Sequence, residues 1–380
     1  MKKILFKSGS TMLGGLEKVQ VEYINYLVEK GYNLKIVIEN DNGPENVLEK
    51  DLKGSVTYLK DYNYIKKMKK FRENRKKNLL SKIRYSLELA KEKLYSEKIF
   101  LKIYKEFLPD IVIDFDSSLT RTVKKLKTSK NILWIHSSVE HWKKKKSKVQ
   151  KYVKKIESYD KIICICKEMM QDLIILNKKL EEKVDYIYNP VNENRIKELS
   201  KIELKEDEKS LAEKKYLLMV SRLDIVPKDF ETLIKAFDLA KEKSYDGELY
   251  LIGDGPDKNK VEEMILKSKF SNNIRLLGAK SNPYNWMVKA DKLILSSKYE
   301  GFGIVILEGL ILEKTFISSN CKTGPKEILT NERGYLFKVG DFNSLSTLIL
   351  NAKDKKITSE NLKEFLREEI FNKFQSILKE

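Results

Sequence analysis

Residues 297–310 read "SKYEGFGIVILEGL". Two carboxylates, Glu300 and Glu308, stand with seven residues between them, separated by a Gly301-Phe302-Gly303 turn and an apolar run. A carboxylate beside an apolar run is costly to bury alone, so each needs a partner. The preceding "KLILSS" reads as a strand, and "GIVILEGLILE" as a helix that begins near Gly303. Glu300 then lies on a strand-to-helix loop. Glu308 lies inside the helix, roughly 8 Å further along at 1.5 Å rise per residue. Backbone N–H groups of Gly301, Phe302 and Gly303 at a helix start make an anion site. A nucleoside diphosphate sugar suits this layout, with its diphosphate at the helix start. One carboxylate would then serve the sugar hydroxyls and the other the ribose hydroxyls. Taken alone, the pattern describes equally well an amphipathic helix after a glycine turn with two incidental glutamates.

Upstream, "VSRLDIVPKDFETLIKAF" places Arg222 and Lys228 just past a strand end and before a helix. Two cations in such a loop suit a diphosphate leaving group, Arg as a planar fork and Lys as a point charge. Basic loop residues are usually only solvated; beside an acidic loop in the same domain they gain meaning.

Two alternating strand and helix series are readable. The first holds "KKILFKSGS", a "LGG" turn with a helix from about Leu16 to Lys30, then "NLKIVIE", "DIVIDFD", "NILWIHSS" and "KIICICK". The second holds "KYLLMVSRL", "ELYLIGDGP", "NIRLLGA", "KLILSS" and "FISSN". Near-continuous apolar strands alternating with helices predict parallel sheets covered on both faces. The fold class is therefore α/β, with two doubly wound, Rossmann-like domains. The charged segment at about residues 190–215 reads as the linker. The expected domains are 1–200 and 201–360, with 361–380 a C-terminal helix packing back on the first domain. Ligands of such sheets bind at the strand C-terminal ends, so the site is expected in the cleft between the domains.

The chain of 380 residues is 41% hydrophobic, which suits a folded protein with two sizeable cores. No apolar run approaches the ~20 residues of a membrane-spanning helix. Lys7 cuts the first apolar run too short for a signal peptide. Three cysteines argue against a disulfide framework and for a reducing, cytoplasmic setting. The net charge of +19 is concentrated: Lys60 to Lys155 hold 29 Lys and Arg against 10 Asp and Glu, an excess of 19. Such a face implies a polyanion: nucleic acid, an anionic membrane or a phosphorylated substrate.

The second half resembles retaining glycosyltransferases of family 4, which have the GT-B fold. Glu300 and Glu308 match that family's paired glutamates, and Arg222 and Lys228 its basic diphosphate pair, at a spacing one residue longer than the commonest. "LIGDGP", with Gly253 and Gly255, matches its turn after the second strand of the nucleotide domain. "IRLLGAKSNPYNWMVKADKLILSSKYEGFG" and "SNCKTGPKEIL" resemble the bacterial surface-polysaccharide branch. In the first half, "GSTMLGGLEKV" resembles the family's glycine-rich loop, where Gly14 and Gly15 would let backbone approach the donor phosphate. "LWIHSS" resembles the strand whose terminal histidine, here His136, faces the donor sugar. Without the family, His136 reads as a packing histidine at a strand end.

The resemblance implies transfer of a sugar from a nucleoside diphosphate donor, most often a UDP-sugar, to a glycan or lipid-linked acceptor, with retention at the anomeric carbon. No enzymic nucleophile, cofactor or metal is implied. Catalytic roles fall to Glu300, Arg222, Lys228 and His136. Donor binding falls to Gly14, Gly15, Gly253, Gly255, Gly301, Phe302, Gly303 and Glu308. A polysaccharide acceptor on a lipid would make the partner of region 60–155 the anionic inner face of the cytoplasmic membrane, with the enzyme peripheral to it.

Other readings compete. Asp114 and Asp116 form an acidic pair, but at the end of an apolar strand. Cys164 and Cys166 are too few for zinc, with Cys321 distant in sequence, and read as buried thiols. Lys258 fills the last position of a would-be G-x-G-x-x-G after Gly253 and Gly255. Nucleic-acid binding is suggested by Tyr62, Tyr64, Phe71, Tyr85 and Tyr95 interleaved with the cations. However, Leu80, Ile83, Leu87, Ala90 and Leu94 recur at helical spacing, which predicts an amphipathic helix burying that face, so the aromatics read as packing. A GT-B epimerase or phosphorylase would keep the fold; an epimerase calls for several histidines, and the chain has two.

Overall fold

The computed structural model describes residues 2–143, 145–330 and 332–380. Its first sheet is built from β1 (Lys3–Ser8), β2 (Asn33–Asn40), β3 (Val56–Lys60), β4 (Ile111–Asp114), β5 (Lys130–Ile135), β6 (Lys161–Cys164) and β7 (Val184–Tyr186). The order across it is β3-β2-β1-β4-β5-β6-β7, and every pairing is parallel. A second sheet comprises β8 (Tyr216–Val220), β9 (Glu248–Ile252), β10 (Ile274–Leu276), β11 (Lys292–Leu295), β12 (Phe316–Ser319) and β13 (Tyr335–Phe337). It runs β10-β9-β8-β11-β12-β13, also parallel throughout. The central strands β1, β4, β8 and β11 are buried almost end to end, as strands of a parallel sheet covered on both faces are.

Contacts divide the chain into two units. One holds the residues up to Ile165, Met169–Ile187 and Gln375–Glu380; the other holds Cys166–Glu168 and Tyr188–Phe374. The domain boundary drawn from sequence at residue 200 falls later than this division. The end of helix Arg367–Lys379 lies on the first unit, where Lys2 and Lys130 donate to the Leu378 and Ile377 carbonyls. The segment expected to be a linker is packed structure. It forms helices Glu193–Ser200 and Glu206–Ala212, buries Ile196, Leu204 and Ala212, and is tied to the second unit by Asn282, Asn285 and Lys280. Its high charge had masked a sparse apolar stripe.

A second expectation fails in helix Leu79–Phe107. Its C-terminal part packs as predicted for a covering helix, with Phe100 and Tyr104 buried against Leu5, Val37 and Val112. The stripe Leu80, Ile83, Leu87 and Leu94 is not buried: these side chains are 78%, 48%, 58% and 69% exposed, and Ala90 is exposed too. The reason is length. A 29-residue helix runs about 43 Å, whereas even the longest strand of its sheet, the eight residues of β2, runs about 26 Å, so the helix outreaches its sheet. No helix among the described residues is long and apolar enough to cross a membrane.

In each sheet the strand order reverses between the first and fourth strands, β1 and β4 or β8 and β11. Ligands of open α/β sheets gather beyond such reversals, at the strand C-terminal ends. Arg222 and Lys228 follow β8, and Glu300 follows β11; Gly14 and Gly15 follow β1. His136 follows β5, one strand over.

Candidate functional site

The loops after β8 and β11 are laced together. Ser296 Oγ donates to the Lys228 carbonyl at 2.9 Å, and the Lys298 N–H to the Pro227 carbonyl at 2.7 Å. Across this seam Lys228 Nζ donates to Glu300 Oε1 at 2.6 Å, with side chains 17% and 10% exposed. Ser297 Oγ reaches the same oxygen at 2.5 Å, and Thr323 Oγ1 fixes the Glu300 carbonyl. Glu300 is therefore held from three sides. Lys228 has three N–H donors and spends one on Glu300, which leaves it able to serve an anion. Arg222 is exposed, and its guanidinium has no partner among the described residues.

Gly303 caps helix Ile304–Ile311 in the left-handed region, at φ 83°. That conformation turns the chain sharply into the helix and favours glycine. The first N–H groups of any helix lack intrahelical acceptors, so this start presents donors one loop away from Glu300. Phe302 is core: its ring stacks on Tyr188 at 5.3 Å. Glu308 sits inside the helix, 8% exposed, and accepts from Tyr284 Oη at 2.8 Å.

Gly253 and Gly255 have a close-approach reason. A Cβ on Gly253 would lie 1.8 Å from the Ser221 carbonyl oxygen, and one on Gly255 2.4 Å from that of Leu223. The β9 turn thus presses directly on the backbone that carries Arg222, and the Leu223 N–H donates to the Asp254 carbonyl at 3.0 Å. These glycines position the cation loop.

In the first unit, Gly14 precedes helix Gly15–Glu29, and a Cβ on Gly15 would meet open space. His136 packs against Phe115, ring centroids 4.4 Å apart, and its buried Nε2 has no hydrogen-bond partner. Burial pushes the imidazole down to about 3, against a hydrogen bond to the Phe115 backbone that favours the charged form, so the ring is neutral near pH 7. Because the unfolded value is about 6.5, this histidine's stability contribution is complete above that pH and is lost as pH falls toward 3. Between pH 7 and 4 the wild type is expected to lose more stability, by denaturant titration, than a His136→Gln protein. Equal losses would contradict a buried neutral ring.

Asp114 and Asp116 are engaged by protein. Asp114 accepts from Tyr159 Oη at 2.5 Å and from the Ser118 and Leu119 N–H groups, and Asp116 pairs with Lys7 at 3.4 Å. Among the described residues no three His, Cys, Asp or Glu side chains converge as metal ligands. The three cysteines are buried and unpaired with one another.

The geometry thus joins Lys228 with Glu300 and sets Arg222 and the helix start in the neighbouring loops. It also adds Tyr284, Ser297 and Thr323, which sequence reasoning did not select. No periodicity or charge pattern marked them; each is found only by its contact.

Residues 200–369 match the family model described as glycosyl transferases group 1. That match takes in 170 of the chain's 380 residues, all in its second half, and that family is what this segment is similar to. The transferase relatives include an uncharacterised glycosyltransferase of Methanocaldococcus jannaschii, 30% identical over 248 residues, 61% of each chain. Another is the N-acetylgalactosamine-N,N'-diacetylbacillosaminyl-diphospho-undecaprenol 4-alpha-N-acetylgalactosaminyltransferase of Campylobacter jejuni, 29% identical over 189 residues, 49% of this chain and 48% of that one. The chain thus spans about half to three-fifths of these relatives' length. Among solved structures, Anabaena HepE in complex with UDP and glucose superposes with a TM-score of 0.77 at 16% identity, covering 100% of both chains. The lipopolysaccharide outer core galactosyltransferase WaaB superposes at 0.67 and 20% identity, covering 97% and 98%. The chain has the two-domain GT-B fold.

Proposed function

We propose that this protein is a retaining glycosyltransferase that moves a sugar from a UDP-sugar to a glycan or lipid-linked acceptor of a bacterial surface polysaccharide. The observation that carries the reading is the Lys228–Glu300 pair at the mouth of a helix start, with the unpartnered Arg222 one loop position away. Arg222, Lys228 and the N–H groups of helix Ile304–Ile311 take the charge that grows on the departing diphosphate. Fixed donors aimed at a developing charge are usually the largest catalytic term. Glu300, held by Ser297 and Thr323, orients the donor sugar, and Glu308 binds the ribose hydroxyls with Tyr284 as its brace. The acceptor hydroxyl enters on the face the diphosphate leaves, which retains the anomeric configuration without an enzymic nucleophile or metal. The relatives' polysaccharide and lipid-diphosphate substrates support the acceptor class. The cationic window from Lys60 to Lys155 supports a peripheral place on an anionic membrane.

A UDP-sugar panel read by thermal shift tests the donor, since ligand at 100 times its Kd adds about 2.7 kcal/mol. Proton NMR of the product's anomeric centre tests retention. Loss of a hydrogen bond to a charged group costs about 1.5–3 kcal/mol, so Arg222→Ala should bind UDP some ten- to a hundredfold more weakly. Glu308→Gln should raise KM more than it lowers kcat. A collapsed kcat at unchanged KM would exchange the roles given to Glu308 and Glu300.

A further inference from the structure

Beneath the middle of helix Leu79–Phe107 lies a cavity of about 790 Å³, lined also by the ends of β2 and β3 and the loop after β4. All of its lining belongs to the first unit. The volume is that of an ordinary small-molecule site. Its floor is a buried ion cluster: Lys60 Nζ lies 2.7 Å from Glu39 Oε1 and 2.6 Å from Glu92 Oε1. Lys60 is 8% exposed, and its third donor is turned to Asn40 at 3.4 Å. The lysine is therefore used up, while its carboxylates keep free lone pairs, and Glu92 Oε2 has no partner among the described residues. Carboxylates with spare lone pairs accept hydroxyl donors and repel phosphate. Lys7 and Lys60 hold Glu39 ionised, at about 2 despite burial. Thr120 and the exposed Arg121 add donors to the lining.

The cavity's rim carries a second signal. Leu94 lines it and is 69% exposed. Leu87 and Leu80 follow at intervals of seven residues, which keeps them on one helix face. They trace an apolar track of about 21 Å from the cavity toward the helix start.

We infer that this cavity holds the neutral, hydroxyl-rich head of an amphiphilic glycan, whose hydrocarbon chain lies along Leu94, Leu87 and Leu80. This deepens the acceptor half of the transferase reading and rests on it. Isothermal titration below the critical micelle concentration tests it with dodecyl maltoside, maltose and dodecylphosphocholine, with UDP as a control on the same samples. One dodecyl maltoside should bind per chain, at least tenfold more tightly than maltose, and dodecylphosphocholine should bind at least tenfold more weakly. Glu92→Gln and the surface change Leu94→Asp should each weaken dodecyl maltoside at least tenfold. Wild-type melting of the first unit, followed by near-UV circular dichroism and limited proteolysis, reports that both variants are folded there, and UDP binding reports the second unit. Equal binding of the two detergents, or affinity untouched by Glu92→Gln, overturns the inference. So does no maltoside binding by a wild type that binds UDP. Failure of UDP itself would instead remove the donor reading.

Discussion

Sugar transfer by a Glu300→Ala protein is expected to fall at least about a hundredfold in kcat, the scale of losing one fixed electrostatic contact at the reacting centre. UDP affinity should not fall with it. Glu300 is an anion 2.6 Å from Lys228, so it neutralises part of the charge that a diphosphate needs. Removing it frees the ammonium, and UDP should bind the variant as tightly as wild type or more tightly. Lys228→Ala should do the reverse and weaken UDP. The pair is also largely buried, and breaking such a pair leaves one charge unpartnered. Each single variant should therefore melt below wild type, and the double Glu300→Ala/Lys228→Ala variant should recover part of the loss. Near-normal transfer by Glu300→Ala would remove the site assignment. Weaker UDP binding by that variant would show that Glu300 holds the nucleotide and not the sugar.

The parts of this site legible in the sequence are those that strand ends dictate. Arg222, Lys228 and Glu300 follow apolar strands, and a parallel sheet delivers all such loops to one edge. What braces them was hidden, because Thr323 and Tyr284 meet Glu300 and Glu308 across 23 and 24 residues of chain. The helix start at Gly303 was readable, since a Gly-Phe-Gly turn before an apolar run permits a left-handed cap. Gly253 and Gly255, expected at the donor, have a packing reason the spacing does not reveal: their missing side chains make room for the Arg222 loop. The stripe on helix Leu79–Phe107 was misjudged for a general reason. Helical spacing shows which residues share a face, but not whether the sheet behind them is long enough to cover it.

That uncovered stripe, together with the charge beside it in sequence, leads to the second large effect. The first unit should pellet with anionic liposomes and not with neutral ones, in the context of the full chain. Two components add. Each Lys or Arg near an anionic surface contributes about 1 kcal/mol, and each leucine that leaves water about 1.5–3 kcal/mol. The first component includes Lys143, Lys145 and Lys146 beside the half-exposed Trp142, whose ring lies 3.3 Å beneath the Lys143 ammonium. Lys144 of the same cluster lies outside the described residues. The second includes Leu80, Ile83 and Leu87, flanked by exposed Lys82 and Arg84. Changing Lys143, Lys144, Lys145 and Lys146 to glutamate should cost about 4 kcal/mol or more, near a thousandfold in partitioning. That loss should shrink as salt rises from 0.1 M to 1 M, because the Debye length contracts from about 10 Å to about 3 Å. Leu80→Asp/Leu87→Asp should also lower binding, but by an amount that salt changes little. Equal pelleting with neutral and anionic vesicles, or none with either, would separate the basic face from the membrane. Transfer chemistry would be untouched by that outcome, because Lys228, Glu300 and Arg222 stand on the other sheet.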